Sequence, residues 1–115
     1  MPTLPSWMQY FYVILCQPSH PANIGAVARA MANFGLSELR LVAPRDGWPN
    51  DKATAAASRA THVVEAATVF EDLRSVVADL SFVFATTARE RDGFKRVAGP
   101  VEAARLLRAA GLRLP

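Results

Sequence analysis

Three clusters in this sequence have residue types and spacing suited to chemistry on an anion or a hydroxyl group. The first is Asn23-Ile24-Gly25-Ala26-Val27-Ala28-Arg29, running on to Asn33-Phe34-Gly35. Steps of four residues return to one face of a helix, so Gly25, Arg29 and Asn33 align there, away from the apolar stripe. A glycine on that line leaves room for a backbone or a substrate to approach closely. Arg29 contributes a permanent cation, and the first-turn amides of Asn23–Gly25 add positive potential for an anion. The same residues equally describe an ordinary amphipathic helix with one solvated arginine.

The second cluster is Ala85-Thr86-Thr87-Ala88-Arg89, where small residues and hydroxyls at a strand end suit close approach to a ligand. It also fits a strand that simply stops at polar residues. The third is Ala43-Pro44-Arg45-Asp46-Gly47-Trp48-Pro49-Asn50. There Arg45 can grip a phosphate and Trp48 can stack on a base, or Trp48 can cover the edge of the core. Charge is unevenly spread. Residues 89–115 hold seven basic and three acidic side chains, whereas residues 1–88 hold six basic and seven acidic. Arg89, Arg91 and Lys95 lead that excess, which either attracts a polyanion such as RNA or belongs to a solvated helix and loop.

Other chemistry is disfavoured. His20 and His62 lack partners at metal-ligand spacing, so no metal site is expected. Cys16, the one cysteine, permits no internal disulfide, and within an apolar run it reads as a small core residue. No Walker or Rossmann glycine fingerprint is present. The longest apolar run, Tyr10–Cys16, is far too short to span a membrane, and no secretory signal is visible. A reduced, cytoplasmic setting is expected.

The elements that must hold these clusters alternate between strand and helix. The stretch 10–16 reads as a strand buried on both faces, as in parallel sheets. Asn23–Phe34 reads as a helix capped by Asn23 and stopped by Gly35, with Ile24, Val27, Ala28, Met31 and Phe34 on its apolar stripe. Further strands are predicted at 38–42, 62–66 and 80–85. Further helices are predicted at 51–60, from a capping box of Thr68 and Glu71 to about residue 78, and at 101–110. With 115 residues this is one α/β domain, an open, mainly parallel sheet with flanking helices. Ligands of such sheets bind beyond the carboxyl ends of strands, which are the loops 17–22, 43–50 and 86–99.

The stretch from Pro18 to Gly35 resembles the first motif of the SpoU–TrmH family of RNA ribose 2′-O-methyltransferases, through its Asn-x-Gly-x-x-x-Arg core and following Asn-Phe-Gly. Leu39–Pro49 and Ala85–Arg89 are similar to the TrmJ-like branch, and the resemblance covers residues 10–110. It implies the N-terminal part of an α/β-knot (SPOUT) methyltransferase fold, here a single truncated domain over residues 1–115 without the knot region. It implies methyl transfer from S-adenosylmethionine to a ribose 2′-hydroxyl in a tRNA anticodon loop, by a homodimer. By the same resemblance Arg29 engages RNA phosphate or ribose and assists deprotonation of the hydroxyl, and Asn23 shapes that site. Thr86, Thr87 and Ala88 border the cofactor. The family's second and third motifs, which supply most of the cofactor pocket, have no counterpart before residue 115, so an incomplete pocket is expected.

Two readings of other classes stand beside this one. The basic residues after Thr87, with Arg45 and Trp48, fit a non-catalytic RNA-binding module. An exposed sheet edge fits a partner-binding fragment.

Overall fold

A computed structural model describes residues 11–86, 101–102 and 104–106. The chain forms two compact units, residues 1–79 and 80–115. The first holds an open sheet of three parallel strands, β1 (Tyr12–Cys16), β2 (Glu38–Val42) and β3 (Thr68–Phe70), in the order β1-β2-β3. Among the described residues, four α-helices accompany it: α1 (Pro21–Asn33), α2 (Asp51–Ala56), α3 (Thr61–Glu65) and α4 (Leu73–Val77). A single 3₁₀ turn, Ser58–Ala60, joins α2 to α3.

The pairing register assigns the two sheet faces. Tyr12 lies opposite Glu38, and Arg40 opposite Thr68, so alternation puts Tyr12, Ile14, Arg40, Val42, Thr68 and Phe70 on one face. Val13, Leu15, Leu39 and Leu41 lie on the other. That second set packs with Ile24, Ala28 and Met31 of α1, Ala53 of α2, Ala57, Ala60, and Val63 and Val64 of α3, forming the main core. The opposite face is met by α4, whose Val76 is fully buried.

Local chemistry sets the helix ends. Gly35 takes φ 77°, and its N–H and that of Leu36 donate to Ala32 and Met31 carbonyls at 3.1 and 2.9 Å, a Schellman closure of α1. The Asn50 side chain caps α2 by accepting from the N–H groups of Lys52 and Ala53. Asp72 caps α4 by accepting from Ser75 N–H at 2.8 Å.

Several sequence expectations are corrected. Helix α1 starts at Pro21, not at Asn23, because proline's fixed φ suits the first helical position. His20 is the N-cap, and Asn23 already lies inside the first turn. Phe34 follows the last helical turn, so it leaves the apolar stripe and is 72% exposed. β1 is half-buried rather than enclosed, since it is an edge strand of the described sheet, and its last residue, Cys16, is exposed.

The segment expected as a strand at 62–66 is helix α3, and the segment expected to open a helix at Thr68 is β3. Ala60, Val63 and Val64 follow a helical period into the core. Residues 68–70 are claimed by pairing with Arg40–Val42, which overrides the local capping-box pattern. In the second unit, residues 80–86 are irregular, in place of the strand expected at 80–85. Apolar composition makes no strand without a ladder partner. Residues 101–102 and 104–106 are helical, as expected there. The rest of that helix, and the loop after Thr86, lie outside the described residues.

Candidate functional site

The carboxyl ends of β1 and β2 place two of the three expected loops side by side. Gln17 N–H donates to the Val42 carbonyl at 2.7 Å, and Arg45 N–H donates to the Pro18 carbonyl at 3.2 Å. Ala43 N–H donates to the Phe70 carbonyl at 2.9 Å, so the end of β3 joins the same ridge. Gln17 and Ala43 both adopt a left-handed backbone, φ 49° and 43°, immediately after their strands. Such conformations cost a non-glycine residue about 1–2 kcal/mol. Here they turn both chains sharply off the sheet at equivalent positions.

The side chains on this ridge differ in availability. Arg45 and Asp46 occupy the corner of a turn closed by Gly47 N–H donating to the Pro44 carbonyl at 3.2 Å, and both are exposed. Trp48 packs against the main core. This is the covering arrangement that the sequence left open.

On α1, Asn23 and Arg29 are both exposed. They are six residues apart, about 9 Å along the axis and roughly 120° around it. They therefore form no single stripe. A long arginine side chain leans toward the helix N-terminus, which shortens the gap. Gly25 serves another purpose. It is buried, and a Cβ built there would lie 2.5 Å from the Ala53 carbonyl oxygen and 2.7 Å from the Ala57 nitrogen. What approaches Gly25 is the backbone of α2. The line of Gly25, Arg29 and Asn33 is thus split between a helix contact and solvent.

The expected cofactor-edge residues are only partly described. Thr86 is exposed, as is Ala85, and Thr87 and Ala88 lie outside the described residues, as do Arg89, Arg91 and Lys95. Exposed Thr86 offers one hydroxyl to the rim of an adenosyl site. No cluster suited to a metal ion exists among the described residues, which include His20 and His62. No described helix is long and apolar enough to cross a membrane.

Sequence reasoning passed over Arg40. Its guanidinium sits on the α4 face of the sheet, 4.0 Å from the Tyr12 ring centroid and 5.3 Å from that of Phe70. It donates to both Asp79 carboxylate oxygens, at 2.7 and 2.8 Å, and to the Val76 carbonyl at 2.7 Å. The Asp79 hydrogen bonds hold the guanidinium in its charged form and draw the Asp79 carboxyl below its usual range. The available signal was a charge at the centre of Glu38-Leu39-Arg40-Leu41-Val42. A cation in a covered strand demands a partner.

A parallel open sheet with paired loops at its carboxyl edge defines an α/β protein of the kind that binds ligands along that edge. The family follows from comparison with known proteins. A sequence profile of the SpoU rRNA Methylase family matches residues 10–107, and the chain belongs to that family. It is 47% identical over 79 residues to the tRNA (cytidine/uridine/adenosine-2′-O-)-methyltransferase TrmJ of Pseudomonas aeruginosa, a match covering 69% of this chain and 30% of that protein. The crystal structure of TrmJ from Z. mobilis ZM4 superposes with a TM-score of 0.80 at 51% identity, covering 84% of this chain and 43% of that one. A putative methylase family protein from Neisseria gonorrhoeae gives 0.86 at 29% identity, covering 98% and 61%. The chain thus spans about a third of the length of the curated relatives it matches.

Proposed function

We propose that this chain is part of a tRNA (cytidine/uridine-2′-O-)methyltransferase, which transfers a methyl group from S-adenosyl-L-methionine to a ribose 2′-hydroxyl in the anticodon loop. The observation that carries the reading is the solvent-presented pair Asn23 and Arg29 on α1, within the stretch that matches the family profile. The names of the relatives support the tRNA substrate.

A ribose hydroxyl is a weak nucleophile, and charge builds on its oxygen as the proton leaves. A fixed cation at that oxygen, or at the neighbouring phosphate, lowers the barrier. Arg29 is assigned that role. The Asn23 amide orients the ribose by hydrogen bonding, which is a positioning contribution. Arg45, in its turn at the same edge, contacts RNA phosphate. Trp48 contributes an indole rim there, and Arg89, Arg91 and Lys95 are assigned to further contacts with RNA phosphate. When bound, S-adenosylmethionine supplies an electrophilic methyl group. Thr86, Thr87 and Ala88 are assigned to the rim of its site. The working form is a homodimer in the cytoplasm.

Anisotropy titration of a labelled tRNA anticodon stem-loop tests the RNA side on this chain. Arg29→Ala should weaken binding and flatten the slope of log affinity against log salt by about 0.7, one lost phosphate contact on single-stranded RNA. Unchanged affinity and slope would remove Arg29 from the site. Methyl transfer is tested separately in a longer relative. Alanine at the position aligned with Arg29 should abolish transfer while calorimetry still detects S-adenosylmethionine binding. Tight RNA binding with no transfer by the unaltered relative would favour the non-catalytic RNA-binding module.

A further inference from the structure

The polar cluster on the α4 face has no part in that proposed reaction. Arg40 is only 9% exposed, yet it carries a permanent charge. Directly beside it across the ladder stand Ile14 and Thr68, and diagonally the rings of Tyr12 and Phe70. Both rings lie within cation–π range. The planar fork is thereby held in one orientation, with its N–H groups aimed at the end of α4. Asp79, which receives two of them, has a side chain 62% exposed. The tether therefore has a buried half on the sheet and a wet half just past the end of α4.

Among the described residues, helix α4 has little else to hold it. It spans five residues, well below the length at which an isolated helix is stable in water. Val76 is fully buried, but Leu73 is 57% exposed, and the remaining residues are exposed or half-buried. Three hydrogen bonds from one guanidinium, two of them bidentate to a carboxylate, are the strongest contacts described for this segment. The main core contains neither Val76 nor Val42. Opening of α4 therefore leaves the packing of α1, α2 and α3 on the other face intact.

We propose that α4 is a latched flap: Arg40, seated between Tyr12 and Phe70, fastens residues 73–79 over one face of the sheet, and loss of the Asp79 contact releases them while the other face stays folded. Release uncovers Val42 and Phe70, on the two strands that α4 meets, and it also lets water reach Arg40, so the opened state contains no dry, unpaired charge. The latch acts at Asp79, the last residue of the first unit. It is therefore a conformational device independent of the RNA-facing residues on α1.

Amide hydrogen exchange followed by mass spectrometry tests this on the 115-residue chain. Asp79→Ala should speed exchange in residues 73–79 at least tenfold, with α1 and β2 unchanged. Arg40→Lys keeps the charge but loses the fork, and it should give a smaller rise in the same segment. Unaltered exchange of 73–79 in Asp79→Ala would overturn the latch. An equal rise across α1 would show that α4 is not separable from the core, and would overturn the proposal as well. The wild-type chain in high salt provides a check without mutation. Because Asp79 is water-exposed, exchange of 73–79 should rise there, and no rise would count against an electrostatic latch.

Discussion

The two faces of the sheet are held by different physics. On one, three helices meet the apolar side chains of β1 and β2 through small residues, with Gly25 letting the backbone of α2 come close to α1. On the other, one short helix is tied down by a guanidinium clamped between two rings. The first arrangement is cooperative, because every residue in it touches several others in a continuous core. The second depends on a few directional contacts. A protein built this way can open one face without unfolding the other, and substitutions should sort cleanly by face.

The largest effect is expected on the packed face. Gly25→Ala places a methyl group against the Ala53 carbonyl oxygen and the Ala57 nitrogen, at 2.5 and 2.7 Å. Both are backbone atoms and cannot swing aside as a long side chain would. Alanine gains about 1 kcal/mol of helix propensity over glycine, but separating α1 from α2 costs more. A net loss of about 2–3 kcal/mol is expected, a fall in melting temperature on the order of 10–20 °C by circular dichroism. An unchanged melting temperature would mean that the two helices do not cross this closely.

How far the sequence disclosed this arrangement depends on how local each signal is. The strand at 38–42, the Schellman stop at Gly35 and the Asn50 cap are all readable, because each rests on neighbours in the chain. The 60–70 region misleads. Val63 and Val64 are β-branched, and the Thr68–Glu71 spacing imitates a capping box. The outcome is decided by which segment finds Arg40–Val42 to pair with. Of the candidate site, Arg29 is legible as a polar group on α1 and Arg45 as a cation just after β2, whereas Asn23 reads as the helix cap and instead lies inside the first turn. Gly25 reads as a close-approach position, but the sequence does not say which neighbour approaches. The Arg40 cluster is hidden because its partners lie 36 and 39 residues away.

Acid should separate the two faces next. The Asp79 carboxyl is held below its usual range by hydrogen bonds from Arg40, and the Asp72 carboxyl by hydrogen bonding from Ser75 at the start of α4. Both bind protons more weakly when α4 is closed than when it is open. Their contribution is therefore fully present above the ordinary carboxylate pKa of about 4 and disappears as pH falls through the lower values of the closed state. Hydrogen exchange corrected for intrinsic rates, compared at about pH 5 and about pH 2.5, should show selective loss of protection in residues 73–79. Loss of protection in Ile24–Met31 at the same pH would merge the two faces into one unit.

The finest test applies one substitution to a cap on each face. Asn50 caps α2 through two backbone N–H groups, at 2.9 and 3.4 Å, and Asp72 caps α4 through one at 2.8 Å. By cap chemistry alone the two alanine variants should behave alike. They should not, because α2 belongs to the cooperative core through Ala53, while α4 hangs on its latch. Asn50→Ala should cost about 1 kcal/mol of global stability, read as a lower denaturant midpoint with unchanged slope. Asp72→Ala should leave that midpoint in place and speed exchange only around Ser75. The reason is that a segment already open by local fluctuation contributes little to the global transition. Equal midpoint shifts for both variants would mean that α4 unfolds with the core, and that the distinction between the two faces is one of composition rather than of cooperativity.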